Sequence, residues 1–479
     1  MRDYILFYLN GERLELRGSL VFDSLSNFLR RERSLTGTKV VCAEGDCGAC
    51  TVALGKFDGQ QMQYRSVNSC IARMFQLDGA SIVTVEGLHE EGKPSHVAQV
   101  FAENHGAQCG FCTPGFVCSM SLMFETKTSP TEQDVKNACT GNLCRCTGYR
   151  SIIDAGMKIE PIQVTRISQR YSDKTMLDDF QKHKGIEASI VADSREYYRP
   201  NTFASALDYL AKKPKARIYG AGTDLGVLIN KHVLSLESVL DIQHISEAKQ
   251  VSQSDDHIVI GASVSLDDLE KTLEASHDEL SRFYRVFASP QIKHLATLAG
   301  NIANASPIGD SMPPLMVLGA EVCIGSSKKE SWLPLDDFYL SYRKTKLQQG
   351  ELIKKVRIPK RAPENFKVYK IAKRKDLDIS TVSAAFDMEV HDGKIKDLKV
   401  ALGGVADKPI RLKNVEDKSK GRPFNGASID DIKTWIQQEI QPLDDHRGSA
   451  WYRKILAGNL FDKYVADIAS IGGSGNESN

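Results

Sequence analysis

Ten of the eleven cysteines in this chain of 479 residues lie between Val41 and Arg150, and eight of these ten form two sets with different spacings. The first set is Cys42-x4-Cys47-x2-Cys50, with Cys70 further along the chain, and the second is Cys109-x2-Cys112 with Cys144-x-Cys146. Each set supplies four thiolates, the number that one [2Fe–2S] cluster requires, and the first spacing is the plant-type ferredoxin pattern. The sequence therefore predicts two [2Fe–2S] clusters.

Turn-forming residues surround both cysteine sets. A loop that wraps an inorganic cluster must bend sharply and aim backbone N–H groups at sulfur, and glycine permits both. The residues of this kind are Gly45 and Gly48 in the first set, and Gly110, Pro114, Gly141 and Gly148 in the second. Both loops are thus suited to enclosing a cluster.

Two other uses of cysteine compete with this interpretation. A structural zinc site also takes four cysteines, and Cys-x2-Cys is common to both metals, so the second set is the less specific on spacing alone. Disulfides are disfavoured because the sequence shows no signal peptide or other extracellular feature. The remaining cysteines, Cys118, Cys139 and Cys323, are predicted to be small buried apolar residues or inert thiols.

Composition limits the classes of partner. Apolar residues make up 41% of the chain and charged residues 26%, and the formal net charge is +1, so neither nucleic acid nor an anionic membrane surface is indicated. No apolar run is long enough for a membrane-spanning helix. A cytoplasmic location is expected, since it suits many reduced cysteines. The length predicts about three domains.

The first cysteine set lies in a predicted β-grasp ferredoxin domain, residues 1–88. Asn10-Gly11 is a strong hairpin signal between two alternating segments. The predicted elements are strands at Tyr4–Leu9, Glu12–Leu16, Thr51–Leu54 and Ser81–Val85 and a helix at Ser24–Arg33.

The second cysteine set lies in a predicted helical domain, residues 89–163. Helices are expected at Val97–Asn104, Phe116–Glu125, after Thr131 and at Asp154–Ile162. Because both cysteine pairs fall in turns between helices, a four-helix bundle that holds one cluster is predicted.

Three motifs in these domains resemble those of the xanthine oxidase, or molybdenum hydroxylase, family. They are Gly45-Asp-Cys-Gly-Ala-Cys50, Gln108-Cys-Gly-Phe-Cys-Thr-Pro-Gly115 and Gly141-Asn-Leu-Cys-Arg-Cys-Thr-Gly-Tyr149. In that family the cluster of the helical domain lies next to molybdenum and the ferredoxin-type cluster faces the flavin. The resemblance implies that Gln108 and Cys146 contact the molybdopterin.

A polar segment, residues 164–194, is predicted to be a partly extended linker. Beyond it, a strand at Ala216–Tyr219 leads into Gly220-Ala-Gly-Thr-Asp-Leu-Gly226, whose N–H groups could contact a pyrophosphate. Asp241 follows at about the distance expected in a Rossmann fold, but Leu225 occupies a position where that fingerprint needs glycine. Alone, this loop is weak evidence.

A second loop, from Thr297 to Asp310, is small, polar and almost free of charge. Two such loops are better explained by a dinucleotide between them than by two turn-rich connectors. The pair resembles the family's FAD-binding domain, of the vanillyl-alcohol-oxidase (PCMH) type, here residues 195–365. The resemblance implies FAD contacts from Ile218, Tyr219, Gly220, Ala221, Gly222, Thr223, Asp224, Leu225, Phe287, Thr297, Ala299, Gly300, Asn301, Asp310, Ile353 and Lys370.

Residues 366–470 resemble the family's small C-terminal α+β domain, of the CO dehydrogenase flavoprotein type, and 471–479 are predicted to be a flexible tail. The fold class is multidomain α+β. Lys373–Ser380 resembles the family's segment near the flavin and nicotinamide, and Tyr342-Arg343-Lys344 is a candidate for the same face, although charged surface explains both equally well. The predicted elements are strands at Val382–Val390 and Ile395–Leu402 and helices at Ile429–Ile440 and Trp451–Ala469.

The resemblance covers residues 1–470 and implies an electron-transfer subunit. The chain stops where the family's large molybdopterin-binding region begins, so it resembles the small subunit of a two-chain xanthine dehydrogenase type of enzyme. Electrons from purine hydroxylation (hypoxanthine to xanthine to urate) at a molybdopterin on the partner chain would pass through two [2Fe–2S] clusters to FAD and then to NAD. A dimer of heterodimers fits the family, and no catalytic residue is assigned on this chain.

Two alternatives stay open. One is the same role in a hydroxylase of another N-heterocycle or an aldehyde, because the substrate is chosen on the partner subunit. The other is a stand-alone NADH-linked iron–sulfur flavoprotein reductase. The sequence does not distinguish NAD from oxygen as the electron acceptor.

Overall fold

The computed structural model describes residues 1–473, which form two compact units. The first unit comprises Met1–Ser246 and Ser289–Ala296, and the second comprises Glu247–Ala288 and the chain from Thr297 onward. Residues 471–473, assigned above to the tail, continue the last helix, and residues 474–479 lie outside the described part. Within that part, no helix combines the length and apolar character needed to cross a membrane.

A five-stranded mixed sheet forms the ferredoxin-type module of the first unit. Asn10 and Gly11 have φ angles of 50° and 87°, as a two-residue hairpin turn requires, which confirms the predicted hairpin. In order across the sheet the strands are Glu12–Leu16, Ile5–Leu9, Ala80–Val83, Thr51–Phe57 and Met62–Asn68. Strands Ile5–Leu9 and Ala80–Val83 are parallel, so the chain between them must cross from one end of the sheet to the other. This pair therefore joins the start of the module to its end.

Two elements of this module differ from the prediction. The strand Met62–Asn68 was not predicted, although its burial alternates over its first residues. The segment predicted as one α-helix is an α-helical turn, Leu25–Asn27, continued by a π-helix, Phe28–Glu32. The predicted apolar face is nevertheless buried, because the wider turn still directs Phe28 and Leu29 into the core.

Four helices form the second module, as predicted: His96–Glu103, Thr113–Met123, Glu132–Cys139 and Arg150–Met157. Thr131 and Asp134 form a capping box at the start of the third helix. The fourth helix begins at Arg150, earlier than predicted, because Tyr149 has a φ of 69° and turns the chain directly into it. Both cysteine pairs lie in the turns that precede helices.

The segment predicted as a linker, residues 164–194, is structured, so that prediction is wrong. It contains Ile167–Arg170, Lys174–His183 and the strand Ala188–Ala192. The Tyr171 hydroxyl donates to the Gly87 carbonyl at 2.7 Å, and Phe180 packs edge-on against Tyr8 with ring centroids 5.2 Å apart. A polar composition thus conceals a few aromatic anchors that attach the segment to the ferredoxin-type module.

A four-stranded sheet completes the first unit, in the order Ala188–Ala192, Arg195–Arg199, Ser238–Asp241 and Arg217–Tyr219. Strand Arg217–Tyr219 leads through the predicted glycine loop into helix Leu225–Asn230, which confirms the strand–loop–helix order. The remaining helices of this unit are Phe203–Lys212 and Pro290–Lys293.

The second unit holds two larger sheets. The first has the order Val251–Gln253, His257–Gly261, Leu352–Pro359, Glu321–Gly325 and Glu330–Pro334. The second has the order Lys367–Ile371, Val382–His391, Lys394–Gly403 and Ile410–Arg411, and a small hairpin pairs Tyr339–Ser341 with Lys344–Thr345. The helices are Leu266–Leu273, Asp278–Arg285, Leu298–Asn304, Met312–Val317, Leu335–Phe338, Lys413–Ser419, Gly426–Glu439 and Ala450–Gly473. The predicted strands and helices of the C-terminal domain are confirmed.

A buried ion cluster joins the two sheets of the first unit. The side chain of Asp78 is fully buried and accepts hydrogen bonds from both terminal nitrogens of Arg2, at 2.9 and 2.8 Å, and from Arg199. It also accepts from the backbone N–H of Leu6 at 2.8 Å. One carboxylate therefore compensates two buried guanidinium groups that belong to different parts of the unit.

We expect Asp78→Ala to lower the free energy of unfolding of the first unit by about 3–5 kcal/mol, because two arginines would lose their only shared carboxylate. The midpoint of urea unfolding, followed by circular dichroism, measures this change. Asp3→Ala is the matched control, since Asp3 is exposed and pairs with Arg17 at the surface. Equal midpoints for the two variants would contradict the assignment.

Candidate functional site

The thiols of the first cysteine set contact one another. Cys42 is hydrogen-bonded to Cys47 and Cys70, and Cys50 is hydrogen-bonded to Cys70. The backbone N–H of Glu44 lies 3.3 Å from the Cys42 sulfur. The hydrogen bonds from Cys47, Cys70 and Glu44 lower the pKa of Cys42. Four thiols with N–H groups aimed at sulfur are the donor set that an iron–sulfur cluster takes.

The second set forms two pairs, Cys109 with Cys146 and Cys112 with Cys144. The backbone N–H of Phe111 and then the Cys146 thiol lower the pKa of Cys109. Burial opposes ionisation of Cys144, but hydrogen bonds, the first from the Thr147 hydroxyl at 3.2 Å, lower its pKa overall. Each pair thus holds one thiol that ionises readily, as a metal ligand must.

In the described part of the chain, no three or more His, Cys, Asp or Glu side chains are grouped as ligands of a single metal ion. The contacts that do exist link the four thiols of the first set in a chain, from Cys47 to Cys42, to Cys70 and to Cys50, whereas the second set forms two pairs. A [2Fe–2S] cluster takes four thiolates and places them on two irons. Both cysteine sets therefore fit this cluster.

The two cysteine loops are in direct contact within the first unit. The backbone N–H of Leu143 donates to the Cys47 carbonyl at 2.9 Å. A Cβ at Gly48 would lie 2.2 Å from the Gly141 carbonyl oxygen, and a Cβ at Gly115 would lie 2.3 Å from the Gly48 oxygen. No side chain fits at these positions, so the glycines allow the two cysteine sets to approach each other.

A buried amide network reinforces this contact, and sequence reasoning missed it. The Asn142 side chain donates to the Gly48 carbonyl at 3.0 Å and accepts from the Ser119 hydroxyl at 2.7 Å and the Gln291 amide at 3.1 Å. Asn142 lies within the Gly141–Tyr149 motif, so its sequence position could have indicated a functional role. Gln291 lies far away in the sequence, and no local pattern indicates its role.

The predicted molybdopterin contacts, Gln108 and Cys146, are both exposed. Two aromatic side chains of the same loops are also exposed, Phe111 by 48% and Tyr149 by 38%. The second cysteine set therefore lies under a surface patch that offers apolar side chains, which we call the Gln108–Cys146 patch.

The three remaining cysteines are buried, as predicted. Cys118, Cys139 and Cys323 are at most 6% exposed, and burial raises the pKa of each thiol to about 12. Inert, protonated thiols are what such burial produces.

The glycine loop of the first unit, Ile218 to Leu225, includes a tight turn at Gly222. Its φ is +73°, and a Cβ there would lie 1.7 Å from the Tyr219 hydroxyl oxygen. The Tyr219 side chain is buried and donates to Gln76 at 2.8 Å, so only its backbone is available to a ligand. Gly222 is thus required by the loop itself, whatever the loop binds.

The other predicted FAD contacts belong to the second unit. Asp310 is buried, and its Oδ2 accepts hydrogen bonds from Lys370 and from the Ser380 hydroxyl, whereas its Oδ1 is buried without a hydrogen-bond partner. Lys370 also donates to the Asp378 carbonyl and to Ser380, both at 2.7 Å. These three partners use the three N–H donors of Lys370, so it orients Asp310 and leaves the Asp310 Oδ1 for a ligand.

Asn301 has the same character as Asp310, because its side-chain oxygen is buried without a hydrogen-bond partner. Thr297 caps the helix Leu298–Asn304, which contains Ala299, Gly300 and Asn301, by accepting from Gly300 N–H at 3.0 Å. Buried polar atoms without partners are rare in proteins. Both atoms are acceptors, so they fit a hydroxyl donor such as the ribityl chain of FAD.

Phe287 and Ile353 offer apolar surface in the second unit. Phe287 contacts two other aromatic rings, with centroid distances of 5.9 and 5.7 Å, and Ile353 is buried in a strand. The backbone N–H of Leu377 donates to the Val286 carbonyl at 3.2 Å, which holds Lys373–Ser380 beside Phe287. Tyr342 and Arg343 are exposed in a hairpin turn.

Three protein-family models match the chain. They are described as "[2Fe-2S] binding domain" for residues 84–157, "FAD binding domain in molybdopterin dehydrogenase" for residues 191–361, and "CO dehydrogenase flavoprotein C-terminal domain" for residues 367–468. The chain belongs to the molybdenum hydroxylase family. It is a multidomain α+β protein that contains this family's [2Fe–2S]- and FAD-binding domains.

Curated members of the family match nearly the whole chain. The xanthine dehydrogenase of Emericella nidulans is 30% identical over 98% of this chain, and the xanthine dehydrogenase/oxidase of Rattus norvegicus is 28% identical over 97%. In both cases the chain spans 39% of the length of the relative.

Solved structures of the family share the fold of just over half of the chain. A chain of a Cu,Mo-CO dehydrogenase is 26% identical, with a TM-score of 0.52 over 56% of this chain and 94% of its own length. A chain of quinoline 2-oxidoreductase from Pseudomonas putida 86 is 24% identical, with a TM-score of 0.53 over 57% of this chain and 96% of its own. The latter likeness concerns the fold alone.

We expect Cys42→Ser and Cys109→Ser each to remove one of two [2Fe–2S] signals in electron paramagnetic resonance of the reduced protein. The thiol contacts keep the two sets separate, so each substitution affects one cluster. Cys323→Ala is the control and should retain both signals, because Cys323 is buried in the second unit, whereas both cysteine sets belong to the first. Loss of both signals in either serine variant would mean that the ligands are shared differently.

We expect Asn301→Ala to weaken FAD binding by about 1–3 kcal/mol, because one buried polar partner of the cofactor would be lost. Flavin fluorescence on dilution measures the dissociation constant. Asn414→Ala is the control, since Asn414 is exposed and bonds to Glu439 in the same unit. Unchanged affinity in the Asn301 variant would exclude the second loop from the flavin site.

Proposed function

We propose that this chain is the electron-transfer subunit of a xanthine dehydrogenase. It would pass electrons from a molybdopterin on a large partner subunit through two [2Fe–2S] clusters and FAD to NAD. The observation that carries the proposal is that two cysteine quartets are in direct contact through Leu143 and Cys47 in a chain with an FAD-binding domain. The matches to xanthine dehydrogenases over nearly the whole chain support the substrate class.

The cofactors would supply the change from two-electron to one-electron chemistry, because each cluster carries a single electron and a flavin carries two. Cys42, Cys47, Cys50 and Cys70 would hold the first cluster, and Cys109, Cys112, Cys144 and Cys146 the second. The close-packed glycines and the buried amide of Asn142 would keep the loops at a fixed separation and exclude water between them.

The Gln108–Cys146 patch is the proposed contact with the molybdopterin subunit. Phe111 and Tyr149 offer apolar surface there, and exposed apolar side chains that cluster beside a functional group commonly mark a protein interface. This placement makes the second cluster the first to receive electrons. We further propose a dimer of such heterodimers in the cytoplasm, where thiolate-bound clusters persist.

In the first unit, backbone N–H groups of the Ile218–Leu225 loop are proposed FAD contacts. In the second unit, Asn301 and Asp310 are proposed FAD contacts. Lys370 would fix the orientation of the Asp310 carboxylate, and Phe287 and Ile353 would contact the ring system. Lys373–Ser380, which is bonded to the backbone beside Phe287, is the proposed nicotinamide side.

A second candidate is the same electron-transfer role in a hydroxylase of a different substrate. The likeness to a chain of a CO dehydrogenase favours this second candidate, since that enzyme has another substrate. Substrate assays of the complex with its molybdopterin subunit, using hypoxanthine, xanthine, nicotinate and an aldehyde, distinguish the two.

We expect the chain expressed alone to bind two [2Fe–2S] clusters and FAD, to be reduced by NADH, and to pass electrons to an artificial dye. It should not hydroxylate xanthine until a separate molybdopterin subunit is added. Visible absorption, metal and flavin content, and dye reduction measure these properties. Zinc in place of iron, or xanthine turnover by the chain alone, would refute the proposal.

A further inference from the structure

Arg73 is a buried cation without a carboxylate partner. It is 5% exposed, its Nη2 donates to the Gly226 carbonyl at 3.2 Å and to the Asn230 side-chain oxygen at 2.6 Å, and its Nε is buried without a hydrogen-bond partner. In the described part of the chain no carboxylate forms an ion pair with it. Asp23 lines the same cleft without forming an ion pair with Arg73, and its Oδ1 accepts from the Ser24 N–H and the Asn27 amide.

Other buried arginines of this unit are compensated, which makes Arg73 exceptional. Arg2 and Arg199 are also buried, and both form ion pairs with Asp78. Burial of a charge is costly unless an opposite charge or several hydrogen bonds offset it. A permanently charged guanidinium at position 73 therefore requires an anion that the protein's carboxylates do not provide.

The first cysteine set lies immediately beside this cation. The Asn230 amide group that accepts from Arg73 also donates to the Ala43 carbonyl at 2.8 Å and to the Cys70 carbonyl at 2.9 Å. Arg73, Ala43, Cys70 and Asn230 line one cleft of about 670 Å³ in the first unit. Arg73 is thus connected through a single amide to the backbone of a cluster ligand and of the residue next to Cys42.

We propose that Arg73 is the counter-charge of the first cluster and stabilises its reduced state, with Asn230 as the residue that holds the guanidinium in place. Four thiolates and two sulfides outweigh two ferric irons, so the oxidised cluster is an anion. One electron, delivered by reduced FAD or by a chemical titrant, adds one negative charge without breaking a bond or moving a proton. A fixed positive charge nearby therefore favours the reduced form.

This inference rests on the proposed function, because it requires a cluster at Cys42, Cys47, Cys50 and Cys70. It adds a residue that controls the redox equilibrium of that cluster. Plant-type clusters have low potentials, roughly −400 mV. A cation in the protein would raise the potential and make the cluster a better electron acceptor.

The test is a redox titration of the full chain with both clusters and FAD, followed by electron paramagnetic resonance. At a fixed potential, Arg73→Gln should lower the ratio of reduced to oxidised first cluster about tenfold, equivalent to about 59 mV for one electron. The second cluster should not change. Arg73→Lys keeps the charge and should stay near the native ratio. Asn230→Ala removes the amide that holds the guanidinium, so it should lower the ratio, but by less than Arg73→Gln does.

Arg195→Gln is the matched control. Arg195 lines the same cleft, but it is more exposed and lies against Asp193, so its removal should leave the ratio unchanged. The proposal would be overturned if Arg73→Gln kept the native ratio of reduced to oxidised cluster, or if Arg73→Lys lowered that ratio tenfold. If the glutamine variant does not retain iron, the ratio in the lysine variant is the test. If the native chain gives no signal from the first cluster, the proposed function is overturned as well. If the signal is present but Arg73→Gln leaves its ratio of reduced to oxidised cluster unchanged, only this inference is overturned.

Discussion

The contact between the two cysteine loops is the constraint on which the proposed function depends. Electron transfer between two centres requires a short and fixed separation, and here the separation is set by backbone groups in direct contact. The Cys47 carbonyl accepts from Leu143, and the adjacent glycines leave no room for a Cβ. Because backbone geometry is involved on both sides, side-chain motion cannot change the distance. The buried amides of Asn142 and Gln291 close the remaining space.

The sequence predicts well what is local. Thiolate spacing, the Asn10-Gly11 hairpin and the helix periodicities each depend on a few neighbouring residues, and the structure contains the corresponding elements. The sequence fails where the determinant is distant. Gln291 reaches the cysteine loops from another part of the chain, and the segment 164–194 is ordered by aromatic side chains that bind a module more than eighty residues earlier, such as Tyr171 at Gly87. No local pattern encodes such contacts.

The proposed flavin contacts show a different limit of sequence-based prediction, which concerns the roles of residues rather than their positions. The family resemblance implies that Lys370 contacts FAD, but its three N–H donors are used by protein oxygens. Gly222 reads as space for a pyrophosphate, but the neighbouring Tyr219 already requires glycine there. In both cases a contact within the protein accounts for the residue, since Lys370 orients Asp310 and Gly222 leaves room for Tyr219. The atoms that do lack partners, Asn301 Oδ1 and Asp310 Oδ1, become evident only from burial.

The buried arginines of the first unit differ in whether a carboxylate is paired with them, and this difference distinguishes a structural role from a redox role. Asp78 forms permanent ion pairs with both Arg2 and Arg199, so the burial of these two arginines does not depend on the charge of the cysteine set. Arg73 has no such carboxylate, so the free energy of its burial would depend on the charge of the adjacent cysteine set. An electron that arrives there lowers the cost of burying Arg73, and by the same coupling Arg73 lowers the cost of adding the electron. A buried cation without a carboxylate partner can therefore shift the redox equilibrium of the cluster. A cation that is already paired with a carboxylate would not.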